Sequence, residues 1–144
     1  MKVYLDTPIL VASMVETHIH HRASFELMGA ARAHKVRAYI STHGLAESFA
    51  VLTRAPYVPT IYPADAWRML SENIVPNCEV VTLTTNMYSR AIEECADAGW
   101  AGGRIYDALH IVCARESKCD RLYTFNVRHF QQMAPDLAAR ICAP

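Results

Sequence analysis

The sequence predicts an α/β domain with a mainly parallel sheet of about five strands and helices on both faces, a three-layer α/β/α arrangement. Two observations predict it. Short runs with strand character alternate with longer runs of helical periodicity along the whole chain. Five such short runs occur, over residues 2–6, 36–41, 79–83, 120–125 and 140–142. Several of them also run directly into residues suited to start a helix, as strand-to-helix turns require. With 144 residues and no internal repeat, low-complexity segment or linker, the chain is expected to form one domain, residues 1–144.

The first strand, Lys2-Val3-Tyr4-Leu5-Asp6, joins residues that favour extended backbone to a single terminal carboxylate. Thr7 is suited to cap the helix that follows, and Pro8 to its first turn. Residues 8–16 read as a mostly apolar helix and residues 19–34 as a second, with Phe25, Leu27, Met28 and Ala31 towards the core. His18, His20 and His21 lie at the joint. They invite a metal reading, against which stands an ordinary solvated helix start.

Val36 to Ser41 alternates as the second strand. Ser41 or Thr42 then caps a helix from His43 to Arg54, with Leu45, Phe49 and Leu52 on one face. Glu47 is the lone acid of that helix. His43 and Glu47 share a face at i,i+4, but the stretch supplies one histidine and one acid only, short of the zincin pattern. Three prolines mark residues 55–63 as a loop, and a helix runs from Pro63 to about Val75. Glu79 to Leu83 is the third strand. Thr84 or Thr85 caps a helix that Gly99 stops after Ala98.

Gly102-Gly103 precede a strongly apolar helix that holds Asp107 among Ile105, Ala108, Leu109 and Val112. Aspartate in such company needs a partner or a cation, unless it pairs with Arg104 or faces solvent. Asp120 to Phe125 is the fourth strand, Asn126 follows at its carboxyl end, and a short helix carries His129 and Phe130. Asn126 also suits a helix cap. Arg140-Ile141-Cys142 reads as a last edge strand.

Composition narrows the function. Hydrophobic residues make up 52% and charged residues 19%, as in a globular chain. No apolar run reaches a membrane-spanning length, and no signal peptide is expected, since the N-terminal residues lack a basic n-region and a cleavage site. The five cysteines are odd in number and form no C-x-x-C pair. This points to reduced thiols in a cytoplasm and away from a cysteine zinc site. A formal net charge of zero argues against non-specific attraction of nucleic acid over the whole surface. A local basic rim remains available from Arg54, Arg104, Arg115, Lys118, Arg121 and Arg128.

In a parallel sheet, Asp6, Glu47, Asp107 and Asn126 all fall at strand ends or early in helices, and can converge on one carboxyl-edge pocket. Converging carboxylates repel one another, and a divalent cation resolves that repulsion. Oxygen ligands suit Mg²⁺ or Mn²⁺ rather than zinc. Such an ion orients and acidifies a water and stabilises charge on a phosphoryl group, the chemistry of phosphodiester hydrolysis.

The ordered set Leu5-Asp6-Thr7, Leu45-Ala46-Glu47, Asp107-Ala108 and Leu122-Tyr123-Thr124-Phe125-Asn126 resembles the PIN-domain family, close to the VapC-type toxins of toxin–antitoxin modules. The resemblance covers almost the whole chain. It implies a PIN-like fold and an endoribonuclease that uses Mg²⁺ or Mn²⁺. It maps the three core acids onto Asp6, Glu47 and Asp107, and the fourth position onto Asn126. It further implies an RNA substrate, a homodimer and a small antitoxin protein seated in a groove along residues 8–34. Two positions depart from the family pattern: Asn126 stands where aspartate is frequent, and Pro8 where a small polar residue is frequent.

Two other readings compete. A non-catalytic PIN-like module that binds RNA or protein is favoured by Asn126 and Pro8. A receiver-like phosphorelay domain needs an aspartate at the end of a middle strand, where this chain has Ser41 and Leu83.

Overall fold

The computed structural model describes residues 1–144. Lys2–Leu5 forms β1, at the centre of a five-stranded sheet. Its neighbours are β2 (Arg37–Ser41) and β4 (Arg121–Tyr123), with β3 (Cys78–Val81) and β5 (Ile141–Cys142) at the edges. All pairings are parallel, and Tyr4 stands opposite Tyr39 of β2 and Leu122 of β4.

Side chains alternate across a strand, so β1 serves two cores. Val3 and Leu5 join Ala38 and Ile40 under α1 (Thr7–Met14), α2 (His21–Arg32), α3 (Thr42–Arg54) and α4 (Pro63–Asn73). Tyr4 joins Tyr39, Leu122 and Ile141 under α5 (Thr85–Ala98), α6 (Arg104–Glu116) and α7 (Val127–Met133). Helices therefore cover both faces of an all-parallel sheet, and β1 is buried from Val3 to Leu5.

The first turn differs from expectation. β1 stops at Leu5, and Asp6 rather than Thr7 caps α1, its Oδ1 accepting the Ile9 N–H at 3.2 Å. A carboxylate at that position reaches the third helical N–H. Thr7 is then the first helical residue and its hydroxyl is free to turn inward. Pro8 follows it, where no N–H is needed. By the same geometry Ser41 caps α3 through the Gly44 N–H at 2.9 Å, and Thr84 caps α5 through Met87. Gly99 closes α5 with φ 71°, a left-handed conformation that glycine adopts freely.

Other boundaries are tighter than the sequence suggests. α1 ends at Met14 and α2 begins at His21, so His18 and His20 lie in the turn between them. α4 ends at Asn73, and Pro76 sits in the 3₁₀ turn Val75–Asn77 that follows. β3 and β4 are shorter than the runs that announce them. Phe25 is 54% exposed, because the buried stripe of α2 runs through Ser24, Met28 and Ala31. Phe49 also faces outward, since α3 buries Gly44, Ser48 and Leu52, spaced four residues apart.

Candidate active site

The strand order creates a switch between β1 and β4. The chain leaves β1 towards β2 on one side and returns through β4 on the other. The two connections diverge at the carboxyl ends of these strands, where an open α/β sheet forms a crevice. Asp6 follows β1, Thr124 to Asn126 follow β4, Glu47 lies in the second turn of α3, and Asp107 lies in the first turn of α6.

Asp6 is 1% exposed. Burial lifts its carboxyl from an ordinary 3.8 to about 6. The His110 imidazole, the Thr124 hydroxyl and the Ile9 N–H pull the other way, and the charge of Asp107 adds to the rise. Burial likewise raises Asp107, against its partner His129, and the charge of Glu47 raises it further. Asp6 thus feels Asp107, and Asp107 feels Glu47. The three acids predicted from separate segments share one electrostatic environment.

Each acid is also held in place. His129 Nε2 donates to Asp107 Oδ2 at 3.1 Å, so Asp107 pairs with His129 rather than with Arg104. Arg115 lies outside any rim, since its guanidinium binds Glu94 and Asp136. His43 Nε2 donates to Glu47 Oε2 at 2.8 Å, and His110 Nε2 faces Glu47 Oε1 at 3.7 Å. Burial alone would raise Glu47, but His110, His43 and the Thr7 hydroxyl outweigh it and hold this carboxyl well below the usual range.

His110 is the centre of this arrangement. It is buried, with Nδ1 2.9 Å from the Tyr4 hydroxyl and Nε2 3.2 Å from Thr7 Oγ1. Its charge would act on Asp6, Glu47 and Asp107 alike. Ligand atoms of His43, Glu47 and His110 all lie within 4.8 Å of one another. The other histidine group forms no such set. His18 and His20 stack on Phe125, and His21 Nδ1 bonds the Ala12 carbonyl.

Asn126 stands at the start of α7, exposed, and its side chain makes no capping bond. Its backbone N–H donates to Thr124 Oγ1 at 3.0 Å. Asn126 is therefore anchored to the buried Thr124, whose hydroxyl lowers the Asp6 carboxyl, and carries an amide rather than a charge. Sequence reasoning passed over His110 and His129. The available signals were spacing: His110 is three residues beyond Asp107 on a helix, hence on the same side, and His129 is three beyond Asn126.

The donor chemistry at the crevice suits a hard divalent cation. Three carboxylates offer oxygen donors of the kind such ions prefer, and the buried Asp6 carries a charge that its hydrogen bonds compensate only in part.

A family model described as "PIN domain" matches residues 3–135. The chain is 33% identical over 116 residues to Ribonuclease VapC27 of Mycobacterium tuberculosis, covering 81% of this chain and 79% of that protein. Among solved structures it is similar to Mycobacterium tuberculosis VapC20, described as a sarcin-ricin loop cleaving toxin. That match has a TM-score of 0.68 and 17% identity, over 86% of this chain and 89% of that one. It is also similar to VapBC2 of Rickettsia felis bound to a DNA fragment from its promoter. There the TM-score is 0.64 and the identity 19%, over 92% of each chain. From the sheet that carries the acids to the sequence match along most of its length, the chain belongs to the PIN-domain family.

Proposed function

We propose that this protein is an endoribonuclease dependent on Mg²⁺ or Mn²⁺ that hydrolyses RNA phosphodiester bonds as the toxin of a toxin–antitoxin pair. The observation that carries the reading is that Asp6, Glu47 and Asp107 act on one another electrostatically at the carboxyl end of the sheet, Asp107 on Asp6 and Glu47 on Asp107, each acid oriented by a hydrogen bond of its own. The names of the relatives support it: one is called a ribonuclease, one a sarcin-ricin loop cleaving toxin.

Asp6, Glu47 and Asp107 would hold the cation, which when bound supplies a more acidic water and neutralises charge on the phosphate. The protein's own groups do the remainder. The Ile9 N–H and Thr124 fix the Asp6 carboxylate. His129 aims Asp107, and His43 with His110 aims Glu47. Asn126, with both donor and acceptor, holds a water at the edge of the crevice without adding charge.

The VapBC2 complex supports a separate antitoxin partner. A cleft of about 370 Å³ lies between α1, α2 and α4, lined by Met14, Phe25, Met28, Arg32 and Met69 among others. Part of its lining falls within residues 8–34, where an antitoxin would sit in the proposal. An antitoxin arginine directed at the acids would neutralise them and compete with the cation. A homodimer working in the cytoplasm completes the proposal.

The test is incubation with a mixed RNA pool in Mg²⁺, in Mn²⁺ and in chelator, beside Asp107→Asn. Cleavage that requires the cation and disappears in the folded variant supports the reading. Binding of RNA without cleavage in any cation would turn it to a non-catalytic module.

A further inference from the structure

The imidazoles around Glu47 exceed what orienting one carboxylate requires. His43 and Glu47 sit one helical turn apart on α3, and His110 reaches them from α6 across the sheet edge. Two nitrogens and one carboxylate oxygen within 4.8 Å of one another make a 2-His-1-carboxylate set. That combination suits borderline ions such as Zn²⁺, Co²⁺ or Ni²⁺ better than Mg²⁺, which prefers oxygen.

A second observation points the same way. Ligating histidines almost always donate their other ring N–H to a fixed acceptor. His110 Nδ1 lies 2.9 Å from the Tyr4 hydroxyl, and Tyr4 is fully buried in the central strand. The ring is therefore locked with Nε2 directed at Thr7 and Glu47. His43 is fixed by stacking on Tyr106, with ring centroids 5.1 Å apart and planes 11° apart. Both rings are oriented before any ion arrives.

We propose that His43, Glu47 and His110 form a binding site for a borderline divalent transition-metal ion, adjoining the acid pocket and sharing Glu47 with it. Ligation takes the Nε2 lone pair of each ring. His43 therefore binds the ion as the tautomer protonated at Nδ1: its Nε2 hydrogen is released to solvent while Nδ1 takes one up, so the ring stays neutral and the ion replaces the 2.8 Å hydrogen bond to Glu47. The site rests on the proposed nuclease reading only in sharing Glu47.

The experiment uses Co²⁺ as probe and no RNA, so its failure is separate from failure of the nuclease reading. The full chain carrying Asp6→Asn and Asp107→Asn loses two acids of the pocket and keeps the histidine set. Co²⁺ titration, followed by calorimetry and by visible absorption, should show one bound equivalent with the spectrum of nitrogen ligands. Adding His43→Gln, which preserves bulk, should weaken that binding at least tenfold while the thermal unfolding curve stays cooperative. Adding His18→Ala and His20→Ala instead should leave it unchanged. Absence of Co²⁺ binding in the double variant would overturn the proposal, as would affinity that survives His43→Gln within twofold.

Discussion

Replacing Asp6 with asparagine should stabilise the cation-free protein while removing a group the proposed chemistry needs. Asparagine keeps the size of the side chain and an oxygen to accept the Ile9 N–H, and it caps helices as well as aspartate. What changes is the charge. Burial moves the Asp6 carboxyl from 3.8 to about 6, so the folded state favours the protonated form. Below pH ~4 the acid is protonated folded or unfolded, and its charge costs nothing. As pH rises from 4 to 6 the unfolded chain ionises first and stability falls; above pH ~6 the penalty is constant. At about 1.4 kcal/mol per tenfold change in acidity, the plateau is about 3 kcal/mol. For a chain of this size that corresponds to roughly 6–12 °C in Tm. The assay is urea and thermal unfolding of both proteins in chelator at pH 4 and pH 7.5, then at pH 7.5 with Mg²⁺. The variant should match the wild type at pH 4 and exceed it at pH 7.5, and Mg²⁺ should raise the wild type more than the variant. An asparagine variant less stable than wild type at pH 7.5 in chelator would refute the reasoning, as would a gap of equal size at both pH values.

Leu10→Ala should cost about 2–5 kcal/mol in urea unfolding, because α1 is buried on nearly every side and Leu10 is fully enclosed. Arg115→Met should cost about 1 kcal/mol at pH 7, discounted for partial exposure, by breaking its pairs with Glu94 and Asp136. Arg115 holds Asp136 below its ordinary range, so this contribution exists above the unfolded carboxyl pKa and fades as pH falls; urea midpoints at pH 7 and pH 3 measure the difference. Gly99→Ala should cost about 1 kcal/mol, since φ 71° strains any side chain there; a Tm series checks it. His129→Ala should lower kcat for RNA cleavage with little change in KM, by releasing Asp107 from its 3.1 Å hydrogen bond.

The layers of this fold were legible because strand and helix periods alternate cleanly and because capping residues stand at their junctions. The three acids stand out in the sequence because each is out of place: Asp6 follows an apolar strand, Asp107 interrupts an apolar helix, and Glu47 is the only acid in its helix. What stayed hidden was partnership between distant segments. His110 reads in sequence as one more residue of a buried helix, and only the packing of α6 beside β1 brings it to Tyr4 and Thr7. His129 and Asp107 are 22 residues apart and meet only once α6 and α7 share a face. Register within the first turn was hidden for a different reason. Asp6 and Thr7 are both good caps, and the choice depends on where the β1 ladder stops.

The placement of β4 beside β1 has a consequence for a chain still being made. The first strand waits for a neighbour encoded more than a hundred residues later, since Leu5 pairs with Tyr123. A ribosome that has released Asp6, Glu47 and even Asp107 has released carboxylates with no common pocket, because Thr124 and the start of α7 have not yet arrived to close it. The site is therefore assembled by one of the last pairings the polypeptide can make. A truncated or stalled product carries the acids without the crevice that gives them a shared purpose.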